Sequence, residues 1–268
     1  MNTILKYFCL INMGVLACFS LQADVLIFQD TFNAADNSNL NADLTRQSGT
    51  QATQTYDKVG SGGAAEIAGN SLVITDSISP EYNAELNLDF GSVSALTSDG
   101  SFTIEFDLNS IGATFAGFGF NGAQNQPRPL VDASTDFGVL FLGSGHGDAG
   151  EISVREGTSE GFRATPAFAL TGLVLLTVNT TSITTGNDFT VDMSIDGEIV
   201  DLNGVAGGNT FSNTWSTSSL YMSFDSLGTG SSTFDNYAVT AVPEPSTVLY
   251  MLTGMSLLGL GVLRKRSK

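Results

Sequence analysis

The sequence predicts an all-β ectodomain, a jelly roll or β-sandwich, set between an N-terminal signal peptide and one C-terminal transmembrane helix. Three observations carry the body's fold class. About a dozen short runs rich in Val, Ile, Leu, Phe and Thr are separated by Gly, Asn, Asp and Ser, with no convincing helix among them. Ser101 to Asn109 alternates strictly: Phe102, Ile104, Phe106 and Leu108 face one way, and Thr103, Glu105, Asp107 and Asn109 the other. A period of two marks a half-buried strand. Asp196-Gly197 stands between two such runs, a pair suited to a tight hairpin.

Taken in order, Met1 to Ala23 reads as a secretory signal peptide, with Lys6 in a positive n-region, an apolar stretch from Tyr7 to Phe19, and cleavage after Ala23. Val15-Leu16-Ala17-Cys18 offers a rival reading, lipidation of Cys18. Residues 24–240 form the body, a normal size for one all-β domain. Its expected strands are Val25 to Phe32, Ser71 to Thr75, Ala84 to Phe90, Ser101 to Asn109, Thr114 to Phe120, Asp136 to Leu142 and Glu151 to Arg155. Leu173 to Thr180, Asp188 to Ile195, Glu198 to Leu202, Leu220 to Phe224 and Thr233 to Thr240 complete the set. In Ala84 to Phe90 the alternation sends Leu86, Leu88 and Phe90 inward and Glu85, Asn87 and Asp89 outward. Gln47 to Ala65 is rich in Gly, Thr, Gln and Ser and reads as a long surface loop with at most one short strand. Leu227 to Ser232 reads as a turn.

Charge and cysteine usage exclude several function classes. The body's five bases, Arg46, Lys58, Arg128, Arg155 and Arg163, stand against 26 acids, leaving −21. Such a surface repels nucleic acid and suits solubility, cations or neutral partners. Cys9 and Cys18 are the only cysteines and both lie in the leader, so the mature body has no disulfide, thiolate metal site or cysteine nucleophile.

Residues 241–268 read as a sorting region. Pro243, Glu244 and Pro245 form a rigid, extended triplet, because the prolines fix φ and remove backbone donors. Thr247 to Leu263 is a 17-residue uncharged, mostly apolar run, and Arg264, Lys265, Arg266 and Lys268 form a basic end. As a helix that run reaches about 25 Å, at the short end of bilayer-spanning lengths, with the bases (264–268) on the cytoplasmic side. The tripartite tail resembles the PEP-CTERM sorting signal of Gram-negative bacteria. That resemblance implies passage through the export machinery and processing by an exosortase-type enzyme. It also implies anchorage in the inner membrane until processing, then residence at the cell surface or outside it, often alongside exopolysaccharide.

Phe28-Gln29-Asp30-Thr31-Phe32, the unit from Val191 to Val200 around Asp196-Gly197, and Phe234-Asp235-Asn236-Tyr237 are similar to segments of concanavalin A-like or laminin-G-like jelly rolls. The resemblance implies a fold whose members are often carbohydrate-binding modules and in a few cases glycan hydrolases. Hard oxygen ligands suit calcium, and Asp30 and Asp235, near the first and last strands, are the candidate pair for a structural Ca2+.

Catalytic constellations are incomplete. Glu105-Phe106-Asp107-Leu108-Asn109 begins like the Glu-x-Asp-x-Glu strand of one glucanase family, but Asn109 and Ser110 stand where the third acid is needed. Gly117 to Gly122 fits G-x-G-x-x-G, yet the following Gln124-Asn125-Gln126-Pro127-Arg128-Pro129 does not open the helix a dinucleotide site requires. His146 is the only histidine and sits in a Gly-rich stretch that reads as a loop, with no second histidine to complete a zinc or hydrolase site. Trp215, the only tryptophan, is a sugar-stacking candidate with Tyr56, Tyr82 and Tyr221, although core packing is the commoner fate of a lone Trp. The expectation is a non-enzymatic, surface-associated protein that binds exopolysaccharide. The alternatives are a secreted glycan-active hydrolase and a structural matrix protein.

Overall fold

The computed structural model describes residues 24–242 apart from 61, 77–81, 98–100, 127, 129 and 206–207. Val25–Val242 forms one unit, built from two antiparallel sheets. The ten-stranded sheet contains β1 (Val25–Asp30), β2 (Gln47–Ser48), β4 (Ala64–Ala68), β5 (Ser71–Thr75) and β7 (Phe102–Ser110), with β12 (Gly172–Thr180), β13 (Asp188–Ile195), β14 (Glu198–Val200), β15 (Phe211–Thr214) and β17 (Ser231–Ala241). Its main path runs β14-β13-β12-β7-β17-β1-β2, with β15 on β13, and β5 carrying β4 onto β17. The seven-stranded sheet runs β11-β10-β9-β8-β16-β6-β3. Its members are β3 (Tyr56–Val59), β6 (Tyr82–Leu86), β8 (Phe115–Asn121), β9 (Thr135–Leu142), β10 (Ile152–Glu156), β11 (Ser159–Ala164) and β16 (Tyr221–Leu227).

The alternating strands behave as their sequence dictates. On β7 the four apolar side chains are buried, Glu105 and Asn109 are exposed, and Thr103 and Asp107 half-buried. Asp196 and Gly197 adopt φ of 50° and 83°, and the ladder closes directly on them with Ile195 opposite Glu198. Those signs are those of the primed hairpin turn that an Asp-Gly pair favours.

Four expectations are corrected. First, the C-terminal transmembrane helix is not part of the described fold. Among the described residues no helix is long and apolar enough to cross a membrane. The α-helix they contain, Ser94–Thr97, has four residues, about 6 Å of rise against a bilayer core of about 30 Å. Residues 247–263, on which the expectation fell, lie outside the described residues, as do the leader 1–23 with Ala23, the triplet Pro243, Glu244 and Pro245, and the bases Arg264, Lys265 and Arg266. Second, the stretch from Gln47 to Ala65 is not one loop. It contributes β2, β3 and the start of β4, which pair with β1, β6 and β5. Tyr56 is its buried anchor. Third, β6 ends at Leu86. Asp89 turns the chain, accepting the Gly91 N–H at 2.9 Å, and Phe90–Ser92 form a 3-10 turn. Fourth, Glu85 does not face solvent; it is fully buried. Strands β11 and β15 had no clear sequence signal, because Gly161 and the polar run Ser212-Asn213-Thr214 interrupt their alternation.

On β8 the alternation places Ala116, Phe118 and Phe120 in the main core, while Phe115 joins a separate small cluster with Leu130, Leu140 and Leu142. Every residue of β8 and β9 is buried. The middle of the seven-stranded sheet, at β8 and β9, is therefore covered on both faces, inside by the other sheet and outside by described residues of the segment 122–134 that joins the two strands, Leu130 among them.

Candidate functional site

An open cleft of about 590 Å³ lies where β9 begins, between the β10–β11 turn and β15. Its chemistry centres on Asp136, Glu156, Asn213 and Ser216. Asp136 is the second residue of β9 and is 1% exposed. Its Oδ1 accepts the Ser216 N–H at 2.9 Å, and its carbonyl accepts Asn213 Nδ2 at 3.1 Å. Its Oδ2 is buried and has no hydrogen-bond partner. Burial pushes the carboxyl above its usual value, and hydrogen bonding from the Ser216 backbone and side chain opposes that rise in part. The Gly157 N–H to the Thr135 carbonyl, at 2.9 Å, ties the β10–β11 turn to the same strand end.

The cleft continues on both sides. A neighbouring hollow of about 300 Å³ shares Glu156 and adds Phe162, Asn203 and Thr210. Another, of about 380 Å³, shares Asn213 and Thr214 and adds Asp188 and Thr190. Together they follow β11 and β15, the outer strands of the two sheets at this end of the sandwich. None of the residues lining these three hollows is basic. The wall presents carboxylates, amides, hydroxyls and the rings of Phe162, Phe189 and Phe211, and its polar groups accept hydrogen bonds from hydroxyl groups and repel anions.

The residues singled out by sequence fall elsewhere. Trp215 is 1% exposed; it stacks on Phe189 with ring centroids 4.0 Å apart, and its Nε1 donates to Thr180 Oγ1 at 3.0 Å. It is core, while its neighbours Asn213, Thr214 and Ser216 line the cleft. Tyr56 is buried, and Tyr82 and Tyr221 are half-buried. Glu105, Asp107 and Asn109 lie on the outer face of the ten-stranded sheet, where Asp107 accepts Asn236 Nδ2 at 2.7 Å. The His146 Nδ1 accepts the Asp148 N–H at 3.1 Å within its loop.

Asp30 is fully buried and engaged by Arg46, Gln47 and the Phe32 N–H, and it pairs in register with Tyr237, two residues from Asp235. Asp235 is half-buried on β17, where its Oδ1 accepts the Asn236 N–H at 2.8 Å. Among the described residues no group of three or more His, Cys, Asp or Glu is placed to hold a metal. Asp136 escaped sequence reasoning because it opens a strand with nothing local to mark it; only the fold brings Glu156 and Ser216 beside it.

No family model matches this chain, and no curated protein matches it. Solved structures do. A protein of unknown function with a galectin-like fold from Bacillus subtilis aligns with a TM-score of 0.52 at 9% identity, covering 82% of this chain and 98% of that one. Winged bean acidic lectin complexed with methyl-α-D-galactose aligns with a TM-score of 0.43 at 10% identity, covering 71% and 93%. The exoplasmic/lumenal domain of VIP36, in its Ca2+/Man3GlcNAc-bound form, gives 0.43 at 10%, covering 70% and 86%. At such identities what is shared is the fold, a galectin-like jelly roll.

Proposed function

We propose that this is an exported surface or matrix protein whose jelly roll binds a neutral, hydroxyl-rich polysaccharide in the Asp136 cleft. One observation carries the reading: a buried carboxylate oxygen without a partner, on the wall of a groove that has no basic residue among its lining. A buried acceptor left empty costs about 1–3 kcal/mol, and a ligand hydroxyl would satisfy it. The elongated run of three hollows suits a chain better than a single sugar.

Asp136→Asn tests this with little change of shape, since the amide oxygen still accepts the Ser216 N–H while Nδ2 replaces the empty acceptor. The expected result, by calorimetry or immobilised-polysaccharide binding, is at least tenfold weaker binding of neutral polysaccharides, corresponding to a lost charged hydrogen bond of about 1.5–3 kcal/mol. Uronate-bearing polymers bind neither protein. The ionised carboxylate is the acceptor and its pKa is raised. Wild-type binding is therefore full above that raised value and lost as pH falls through it. Equal binding by wild type and Asp136→Asn would overturn the reading. We take the protein to be a binder and not an enzyme; release of reducing ends from a bound polysaccharide would favour the hydrolase alternative, with Glu156 as the second carboxylate.

The tail supports an exported destination through processing at Pro243-Glu244-Pro245 by an exosortase-type enzyme. Intact mass of protein recovered from cells is expected to end near residue 245, and a Pro243→Ala, Pro245→Ala variant to extend to Lys268. Wild-type protein carrying Lys268 would remove the processing step from the proposal.

A further inference from the structure

The described residues of the segment 122–134 (122–126, 128 and 130–134) belong to a strap between β8 and β9. Its ends are tied by the Gly122 N–H to the Ser134 carbonyl at 2.9 Å. It crosses the outer face of the seven-stranded sheet and is held there by two different devices. The first is steric. Gly117, Gly119 and Gly138 leave a notch that Leu130, 1% exposed, fills. A Cβ at 117 or 119 would come within 2.4 or 2.5 Å of the Leu130 methyls, and one at 138 within 3.1 Å of its carbonyl. The second is polar. The Asn125 N–H donates to Glu85 Oε1 at 2.7 Å, Asn83 Nδ2 donates to the Gln126 carbonyl at 3.3 Å, and Gln124 Nε2 donates to Asn87 Oδ1.

Glu85 is the weak point of this clasp. It is fully buried, and its Oε2 has no hydrogen-bond partner; neither have Asn83 Oδ1 on the same strand, Ser223 Oγ on β16 or Asn121 Nδ2 on β8. Ser223 stands opposite Glu85 on β16, and Asp57 opposite it on β3. The other ionisable groups on the elements around it are Asp225 and Tyr221 on β16, Arg155 on β10 in the same cross-strand row, and Arg128 on the strap. A carboxylate there is desolvated, half-satisfied and beside a like charge.

We propose that Glu85 is a proton-operated latch for the strap: protonated, it keeps the segment seated over the glycine notch; ionised, it releases it. Burial, with Asp57 adding to it, pushes Glu85 up to about 7 from an ordinary 4.5. The closed form therefore holds a proton that the open form gives up between those values. Closure is strongest below the ordinary value, weakens as pH rises towards about 7, and levels off above it. Release uncovers the sheet face next to the Asp136 cleft, since Ala133 at the strap's end is one of the cleft's lining residues. The latch stands independently of the polysaccharide reading, because its test uses no ligand.

Hydrogen exchange by mass spectrometry on the full chain, with protection expressed relative to intrinsic rates, is the experiment. In the wild type, protection of the strap is expected to fall by up to tenfold per pH unit between about pH 4.5 and 7. Protection of β12 stays constant. Glu85→Gln still accepts the Asn125 N–H and cannot ionise, so its strap stays protected across the range. Asp57→Asn shifts the wild-type transition to lower pH by removing the like charge, and keeps the proposal testable should Glu85→Gln fold poorly. Leu130→Ala lowers protection at every pH without removing the slope. Strap protection independent of pH in the wild type, a slope that survives in Glu85→Gln, or no shift in Asp57→Asn would each overturn the latch.

Discussion

Replacing Arg46 with alanine is expected to destabilise the protein by about 3–5 kcal/mol, the usual cost of stranding one partner of a buried ion pair. Both side chains are almost fully buried, with the Arg46 Nε 2.8 Å from Asp30 Oδ1. The guanidinium also donates to the Leu40 carbonyl at 2.8 Å and to the Asp43 carbonyl, and it lies 5.9 Å from the centroid of the Phe32 ring. It thus fastens the connection after β1 to the sheet. On the other side, Asp30 accepts the Phe32 N–H at 2.8 Å and Gln47 Nε2 at 3.0 Å. The first of these bonds holds Phe32 at a φ of 50°, where a bulky residue is strained. Without Arg46 the carboxylate loses its counter-charge, and the buried Leu40 carbonyl and the part-buried Asp43 carbonyl lose a donor. The midpoint of urea unfolding should fall with little change in slope. A double variant, Asp30→Asn with Arg46→Met, should lose far less than Arg46→Ala alone, because it leaves no charge buried. A loss below about 1 kcal/mol in Arg46→Ala would mean that water reaches Asp30 and that the pair is not what holds this corner.

What the sequence made legible was what is local. Alternation on β7, β12 and β13 was readable because each strand has one face in the core and one in water. The Asp196-Gly197 turn was readable because its conformation is encoded in two residues. Alternation misled where a second layer covers a sheet. Glu85 has the polar side chain of an outward position, but that outward face lies under the strap, so a carboxyl is buried there. The strands between Gln47 and Ala68 were obscured because their apolar content is low; their backbones are satisfied by distant partners that no local window contains. The cleft was hidden for the same reason. Its residues come from β9, the β10–β11 turn and β15, which are far apart in sequence and meet only when the sandwich closes. The signal nearest to it was the stretch around Trp215, where the ring packs inside and the polar neighbours line the cleft.

Phe224→Ala is expected to cost about 3–5 kcal/mol, as large a loss as any single core truncation here should give. The residue sits on β16 of the seven-stranded sheet, and its ring reaches the opposite sheet. Its centroid lies 5.4 Å from Phe106 on β7, 4.6 Å from Phe234 and 5.1 Å from Tyr237 on β17, and 6.5 Å from Phe32. Within its own sheet it meets Phe118 at 5.1 Å. The contacts with Phe106 and Tyr237 are edge-on, at interplanar angles of 89° and 87°, the arrangement that ring quadrupoles favour. Truncation therefore removes a clamp between the sheets and leaves a void lined by rings whose strands are fixed by their ladders. Little collapse can fill it, which places the cost in the upper part of the range for such changes. Phe224→Leu keeps most of the volume and should cost clearly less. The two variants separate packing from geometry. If leucine is nearly as damaging as alanine in urea unfolding, the edge-on aromatic contacts matter more than volume. If both are mild, the sheets are held together mainly at the Trp215 end, where Phe120, Phe137, Phe189 and Phe211 form the second ring cluster.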